Sequence, residues 1–330
     1  MQIRKCMDYG TSYCPCELAQ CDQCIICDEL REMEKKCDCN CKNSKGFCVY
    51  SEFLFNNKKA KQDRKVYSCI IQDKKEIEKN LFIIEIVLPR ELFILINKPS
   101  SFVFIKPTGL NDNFFTPITI YKKNNEKNSV TLIIENKGVK TNSIFNSDED
   151  TVDIKGPYWN GLHGIDNLSK CKNSSSLVIA RGVGAAPVLS IIKELNENNN
   201  KAICLIDMEG FEANFIEDEL NKSNCLVYDI KVIHEGKISV TFIDFVKDII
   251  NKEKISLIGI LSSDFIIKSI LDELNEFDDS INYFCSNNAK MCCGEGVCGS
   301  CSVRFKGNRI RKLCKEQMDP KELFVDRRFI

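Results

Sequence analysis

Histidine is almost missing from this chain, with His163 and His234 the two examples among 330 residues. A metal centre here must therefore rest mainly on thiolate, and chemistry that needs a placed imidazole has few candidates. An excess of either charge is also lacking. The 46 lysines and arginines are balanced by 47 aspartates and glutamates, a net charge of -1. No field of one sign arises to draw in nucleic acid or an anionic membrane. No apolar run approaches the length of a bilayer span, and the opening residues Met1 to Cys6 hold no apolar leader. The expectation is a cytoplasmic protein. There is no internal repeat, no serine–histidine–aspartate set and no pair of catalytic carboxylates, which argues for a conduit over a hydrolase.

Cysteine, by contrast, is abundant. Of 20, ten lie between Cys6 and Cys48 and six between Cys285 and Cys314. In a reducing compartment such clusters point to metal before disulfides, and soft thiolate ligands favour iron–sulfur clusters or zinc. The scattered Cys69, Cys171, Cys204 and Cys225 read as small buried hydrophobes.

Four regions differ in texture. Residues 1–55 are a cysteine-rich module with little apolar periodicity, too short to hold a core without a metal staple. Over 60–165, short runs rich in Ile, Val and Phe at 65–71, 81–88, 102–106, 115–121, 130–135 and 151–154 predict an antiparallel β-barrel. Over 174–285, strands at 176–180, 201–206, 225–232, 255–261 and 281–284 alternate with helices at 187–196, 211–221 and 264–277. This predicts an α/β domain with a doubly wound parallel sheet. Residues 286–330 form a second cysteine module.

Within that last module, Cys293, Cys298 and Cys301 have the spacing C-x4-C-x2-C, and Cys314 follows. This is the plant-type arrangement for a [2Fe–2S] cluster. Gly294, Gly296 and Gly299 allow the loop to wrap an inorganic core closely. A zinc knuckle is the alternative, although zinc sites usually pair their cysteines at shorter intervals on both sides. Cys285 and Cys292 fall off the pattern. Further upstream, Gly182, Gly184 and Pro187 lie where a strand turns into a helix, a setting that suits a nucleotide pyrophosphate. A tight turn with no ligand is the other reading.

A β-barrel, then G-x-G-x-x-P opening an α/β domain, then Cys-Gly-x-Gly-x-Cys-x-x-Cys resembles the ferredoxin-reductase-type flavoproteins. The likeness is to the iron–sulfur electron-transfer subunit of dihydroorotate dehydrogenase B. Related chains are the small subunits of sulfide dehydrogenase and of NADH-dependent ferredoxin:NADP oxidoreductase. It covers about residues 60–325 and implies FAD on the barrel, a nicotinamide nucleotide on the α/β domain and a cluster feeding a partner subunit. Carried over, the flavin motif falls on Thr116, Pro117, Ile118 and Thr119. The segment facing the flavin phosphates falls on Gly138, Lys140 and Thr141, and a Gly-Pro turn on Gly156 to Gly161 with Asn160. These are also ordinary strand-end and turn residues. Thr116 stands where the family has an arginine, so Lys140 or Lys106 would have to compensate. Ser262, Ser263 and Asp264 replace a Cys-Gly-Pro stretch near the nicotinamide. An acid there does not help an anion bind, which weighs against use of NADH or NADPH.

The first module is an iron–sulfur or zinc site, its candidate ligands being Cys14, Cys16, Cys24, Cys27, Cys37, Cys39 and Cys48. Cys21, Cys24 and Cys27 at x2 intervals resemble part of a [4Fe–4S] loop, and residues 29–36 read as a short solvated helix. The reading that follows is an electron-transfer flavoprotein subunit working between FAD and a [2Fe–2S] cluster. Its partner is a catalytic redox subunit or a ferredoxin-like protein in a hetero-oligomer. The alternatives are a self-contained NAD(P)H-dependent reductase, or a non-enzymatic metalloprotein or redox sensor with degenerate nucleotide sites.

Overall fold

The computed structural model describes residues 4–31 and 47–328. Cys37 and Cys39, and most of the helix expected at 29–36, lie outside the described residues; within them Asp28–Arg31 forms a single 3-10 turn. The chain divides into two compact units. One comprises Met1–Val66, Ala289–Met318 and Val325–Ile330, and the other Tyr67–Asn288 and Asp319–Phe324. Among the described residues no helix is long and apolar enough to cross a membrane.

The larger unit holds a closed antiparallel barrel. Its strands run in the order Val66–Glu78, Leu81–Val87, Ser129–Glu135, Thr116–Asn124, Phe102–Pro107 and Thr151–Tyr158. Alternation decides which side chains point inward. Along Leu81–Val87, Phe82, Ile84 and Ile86 are fully buried, and they meet Val103, Ile105, Leu132 and Ile154 in one core. The barrel closes where the Ile71 amide donates to the Asp150 carbonyl at 2.8 Å.

A six-stranded sheet follows, in the order Cys225–Asp229, Lys201–Asp207, Ser175–Arg181, Ile255–Leu261, Asn282–Ser286 and Leu162–His163. All neighbours are parallel except the last pair. The order reverses direction between Ser175–Arg181 and Ile255–Leu261, which creates the crevice where α/β sheets bind ligands. Helix Asp264–Phe277 buries Ile266, Ile267, Ile270, Leu271 and Leu274 on one face. Helix Val240–Glu253 does the same with Phe242, Ile243, Val246, Ile249 and Ile250, and Ser239 caps its start. The helix expected at 211–221 is shorter, at Glu217–Asn221. The backbone before it is held by the barrel: the Tyr121 hydroxyl donates to the Phe215 carbonyl at 2.9 Å, and the Ala213 amide donates to Glu78 at 2.7 Å. Those groups are not available to a helical ladder.

The smaller unit joins the first and last parts of the chain. Lys5–Cys6 pairs antiparallel with Glu316–Gln317, and Arg4 forks onto the buried Glu316 carboxylate at 2.6 and 2.7 Å. Strand Ser302–Phe305 pairs with Ile310–Lys312 and with Arg327–Arg328. Between these elements lies a buried set of four charges. Arg64 donates to Asp8 at 2.7 Å and to Glu295 at 3.0 Å, and Lys315 donates to Asp8 and, at 2.6 Å, to Glu295. Side-chain exposure is 1% for Arg64 and for Lys315 and 4% for Asp8. Burial pushes the Asp8 carboxyl up, but Lys315 and Arg64 outweigh it and hold the group at about 2.

Neutralising one member leaves an unmatched buried charge, so Asp8→Asn is expected to destabilise this unit by about 3–5 kcal/mol. Because the Asp8 carboxyl is depressed in the folded state, its contribution is complete above about pH 4 and is lost as pH falls through about 2. Thermal melts of the two proteins should differ most at neutral pH and draw together below pH 4. A constant gap across that window would contradict the assignment.

Candidate cofactor and metal centres

The C-terminal cysteines lie on a loop that the smaller unit holds at both ends. Cys301 and Cys314 are buried, with their sulfurs 3.1 Å apart. Cys293 is half-buried and accepts the Glu295 amide at 3.3 Å, whereas Cys298 is exposed. Gly294, Gly296 and Gly299 have φ of 71°, 83° and 77°, left-handed values that favour glycine. The Cys301 thiol is lowered to about 6, first by its hydrogen bond with Cys314 and then, against the cost of burial, by backbone N–H groups. The Cys314 thiol is raised. Two buried sulfurs in contact, with an amide donor aimed at the neighbouring Cys293, form a donor set that suits thiolate ligation. Among the described residues no three or more histidine, cysteine or acidic side chains are closed around one point. Cys285 is buried in a strand and Cys292 is exposed, both away from the paired sulfurs' interactions.

In the first module, Cys14, Cys24 and Cys27 are buried in a shared apolar cluster, Cys16 and Cys48 are half-buried, and Cys21 is exposed. Cys69 and Cys204 are fully buried in the larger unit, and Cys171 and Cys225 are partly so.

On the barrel, two of the predicted segments meet. Thr116 is buried at the head of its strand, Pro117 is exposed, and Ile118 and Thr119 are half-buried. The Lys140 ammonium donates to the Phe115 carbonyl at 2.9 Å, which puts a cation beside the position where Thr116 replaces an arginine. Lys106 cannot take that role. It is buried and bonded to Asp153 at 2.7 Å and to the Leu110 carbonyl at 2.6 Å. The Thr141 hydroxyl accepts the Lys137 and Gly138 amides, both at 3.1 Å, so it shapes the turn before helix Val139–Phe145. Gly156 is buried against Val103, and the Asn160 carbonyl accepts from Asn287 at 2.8 Å. A cavity of about 490 Å³ lined by Lys98, Tyr121, Lys123, Lys193 and Glu219 contains none of these residues.

Gly182 and Gly184 lie at the carboxyl end of the first parallel strand, on one lip of the crevice; Ser262–Asp264 follows the strand on the other lip. Both glycines are required by the protein's own backbone, Gly184 by the strand beside it and Gly182 by its left-handed φ. A Cβ on Gly184 would lie 2.4 Å from the Leu261 carbonyl, and one on Gly182, where φ is 54°, would lie 2.5 Å from the Glu209 carboxylate. Glu209 also pairs with Arg181 at 2.9 Å. Asp207 binds Arg181 at 3.1 Å and accepts the Val232 amide at 3.0 Å and the Glu209 amide at 2.8 Å. Pro187 is buried at the start of helix Val188–Glu197. Sequence reasoning missed Glu209. Its signal was its place three residues beyond a predicted strand end, where acidic residues in such folds face the nucleotide.

No protein-family model matches the chain. It is 27% identical over 248 residues to an uncharacterized protein from the adh 3′ region of Clostridium beijerinckii, a match that spans 74% of this chain and 82% of that one. It is 24% identical over 220 residues to the electron transfer subunit of dihydroorotate dehydrogenase B (NAD(+)) of Clostridium acetobutylicum, spanning 66% of this chain and 82% of the subunit. Among solved structures, a chain of the NADH-dependent reduced ferredoxin-NADP oxidoreductase, from work on flavin-based electron bifurcation, aligns with a TM-score of 0.57 at 22% identity. That alignment covers 77% of this chain and 88% of the other. In sequence, then, the chain is similar to the electron-transfer subunits of dihydroorotate dehydrogenase B, and its fold is that of the ferredoxin-NADP oxidoreductase chain.

Proposed function

We propose that the chain is an electron-transfer flavoprotein subunit. It would carry FAD on the barrel and a [2Fe–2S] cluster on Cys293, Cys298, Cys301 and Cys314, and exchange electrons with a separate catalytic or ferredoxin-like protein in a hetero-oligomer. The observation that supports this most is the C-terminal loop, with its plant-type spacing, three left-handed glycines and two sulfurs already 3.1 Å apart. When bound, FAD exchanges electrons in pairs and the cluster passes them singly, which links two-electron donors to one-electron acceptors.

The chain's own residues would hold and orient these groups. Pro117, Ile118 and Thr119 would line the ring system, and Gly138, Lys140 and Thr141 the phosphates. Gly156 and Asn160 would frame the junction. Lys140 would supply the positive charge that the missing arginine otherwise provides. Thiolate ligands need a reducing compartment, which agrees with the cytoplasm.

A self-contained NAD(P)H-dependent reductase is the second reading, favoured by the glycine turn at the sheet's switch point. Against it stands Asp264 on the facing lip, whose carboxylate would repel an anionic dinucleotide. Under anaerobic conditions the flavin is expected to stay oxidised when NADH or NADPH is added. Rapid bleaching by either would make the reductase reading the correct one.

Two substitutions test the main reading. Cys298→Ser is expected to abolish the rhombic paramagnetic resonance signal of the reduced protein and leave flavin content largely intact; a retained signal would refute the ligand set. Lys140→Met removes a charge-assisted contact of about 1.5–3 kcal/mol, so FAD affinity should fall roughly 10- to 100-fold. Fluorescence titration of the deflavinated protein reads this directly, and unchanged affinity would exclude Lys140 from the site.

A further inference from the structure

Seven of the described cysteines precede the barrel, and four of them share one place. Cys14, Cys24 and Cys27 lie in a buried cluster with Ala19, Leu30, Val49 and Phe53. Cys16 opens the short helix Glu17–Gln20, two residues past Cys14. A backbone amide already points at one of the sulfurs: that of Cys27 donates to Cys24 at 3.3 Å. Amide donors favour thiolate over thiol and orient metal ligands. The other three cysteines have different surroundings. Cys21 is exposed, Cys48 accepts the Ser51 amide at the start of helix Val49–Phe55, and Cys6 lies in a two-residue strand.

We propose that Cys14, Cys16, Cys24 and Cys27 ligate a second metal centre, a tetrathiolate site for a thiophilic metal, either zinc or an iron–sulfur cluster. The ligands come as C-x-C and C-x2-C, two short loops that each deliver paired sulfurs to one pocket. Both histidines of the chain belong to the other unit, so sulfur is the available donor. Among the described residues the sulfurs do not converge on one point; on binding a metal each side chain would have to turn toward it and release its thiol proton. The pocket adjoins the C-terminal cysteine loop. Leu18, two residues past Cys16, packs on Gly296, where a Cβ would come within 2.8 Å of its side chain. The count of metal beyond two irons rests on the [2Fe–2S] reading, and Cys298→Ser, which touches only the C-terminal loop, shows whether those two irons belong there.

The test uses the full chain purified anaerobically, with zinc, iron and acid-labile sulfide measured per polypeptide. The wild type is expected to carry metal beyond two irons: either one further zinc, or further iron matched by sulfide. Either result supports the site and identifies its occupant. Cys24→Ser should lose that whole increment, whereas Cys21→Ser and Cys298→Ser should keep it. If Cys24→Ser does not fold, Cys16→Ser at the half-buried position repeats the comparison, and the wild-type stoichiometry is decisive without any variant. A wild type holding no metal beyond two irons would overturn the proposal, as would a Cys21→Ser protein that loses the increment or a folded Cys24→Ser protein that retains it.

Discussion

Asp8, Arg64, Glu295 and Lys315 form a closed set of two positive and two negative charges, and each cation touches both anions. Their places in the chain give the set its importance. Lys315 directly follows Cys314, Glu295 lies between Cys293 and Cys298, and Asp8 comes six positions before Cys14. The same carboxylates and ammonium that neutralise each other therefore define which stretch of the N-terminal module meets the C-terminal cysteine loop. Such a buried set contributes little net stability over an apolar replacement, because desolvation offsets most of its attraction. Its effect is on register. Any slip along Lys5–Cys6 against Glu316–Gln317 would separate Asp8 from Lys315 and strand a charge without water.

The larger unit shows a different economy at its two candidate nucleotide positions. On the barrel, the Lys140 ammonium lies at the Phe115 carbonyl, next to Thr116, while Lys106 is held by Asp153 inside the fold. At the glycine turn, the protein's own carboxylate has taken the space against Gly182, and Arg181 is paired with acids on the same side. Positive charge is thus presented where the barrel motif lies and is neutralised where the α/β motif lies. The glycines at 182 and 184 are explained by a left-handed φ and by the Leu261 backbone, so their presence in the sequence is weaker evidence for a dinucleotide than their spacing suggests.

Most of the fold was legible because it follows local patterns. The alternation along residues 81–88 and the apolar stripe of residues 264–277 each state a period that one environment satisfies. Helix Val240–Glu253 carries the same kind of stripe and a serine cap, so its pattern was equally present in the sequence. The stretch before Glu217 reads as helix and is not, because Tyr121 and Glu78 capture its backbone from across the unit. The site divides in the same way. Cysteine spacing is written in consecutive residues and could be read. The charge set joins positions 56, 231 and 307 apart, and no window along the sequence relates them.

That separation bears on assembly. The smaller unit is built from the first 66 residues together with segments beyond residue 288, so the whole larger unit lies between its parts in the chain. Closing so long an intervening segment is an entropic cost met before any contact is gained. The larger unit needs no residue before Tyr67 for its barrel core or its sheet core, and it can form first and bring the distant ends together. Until Lys315 arrives, Asp8 has Arg64 as its buried partner and lacks the second cation, and Leu18 has no Gly296 to pack on.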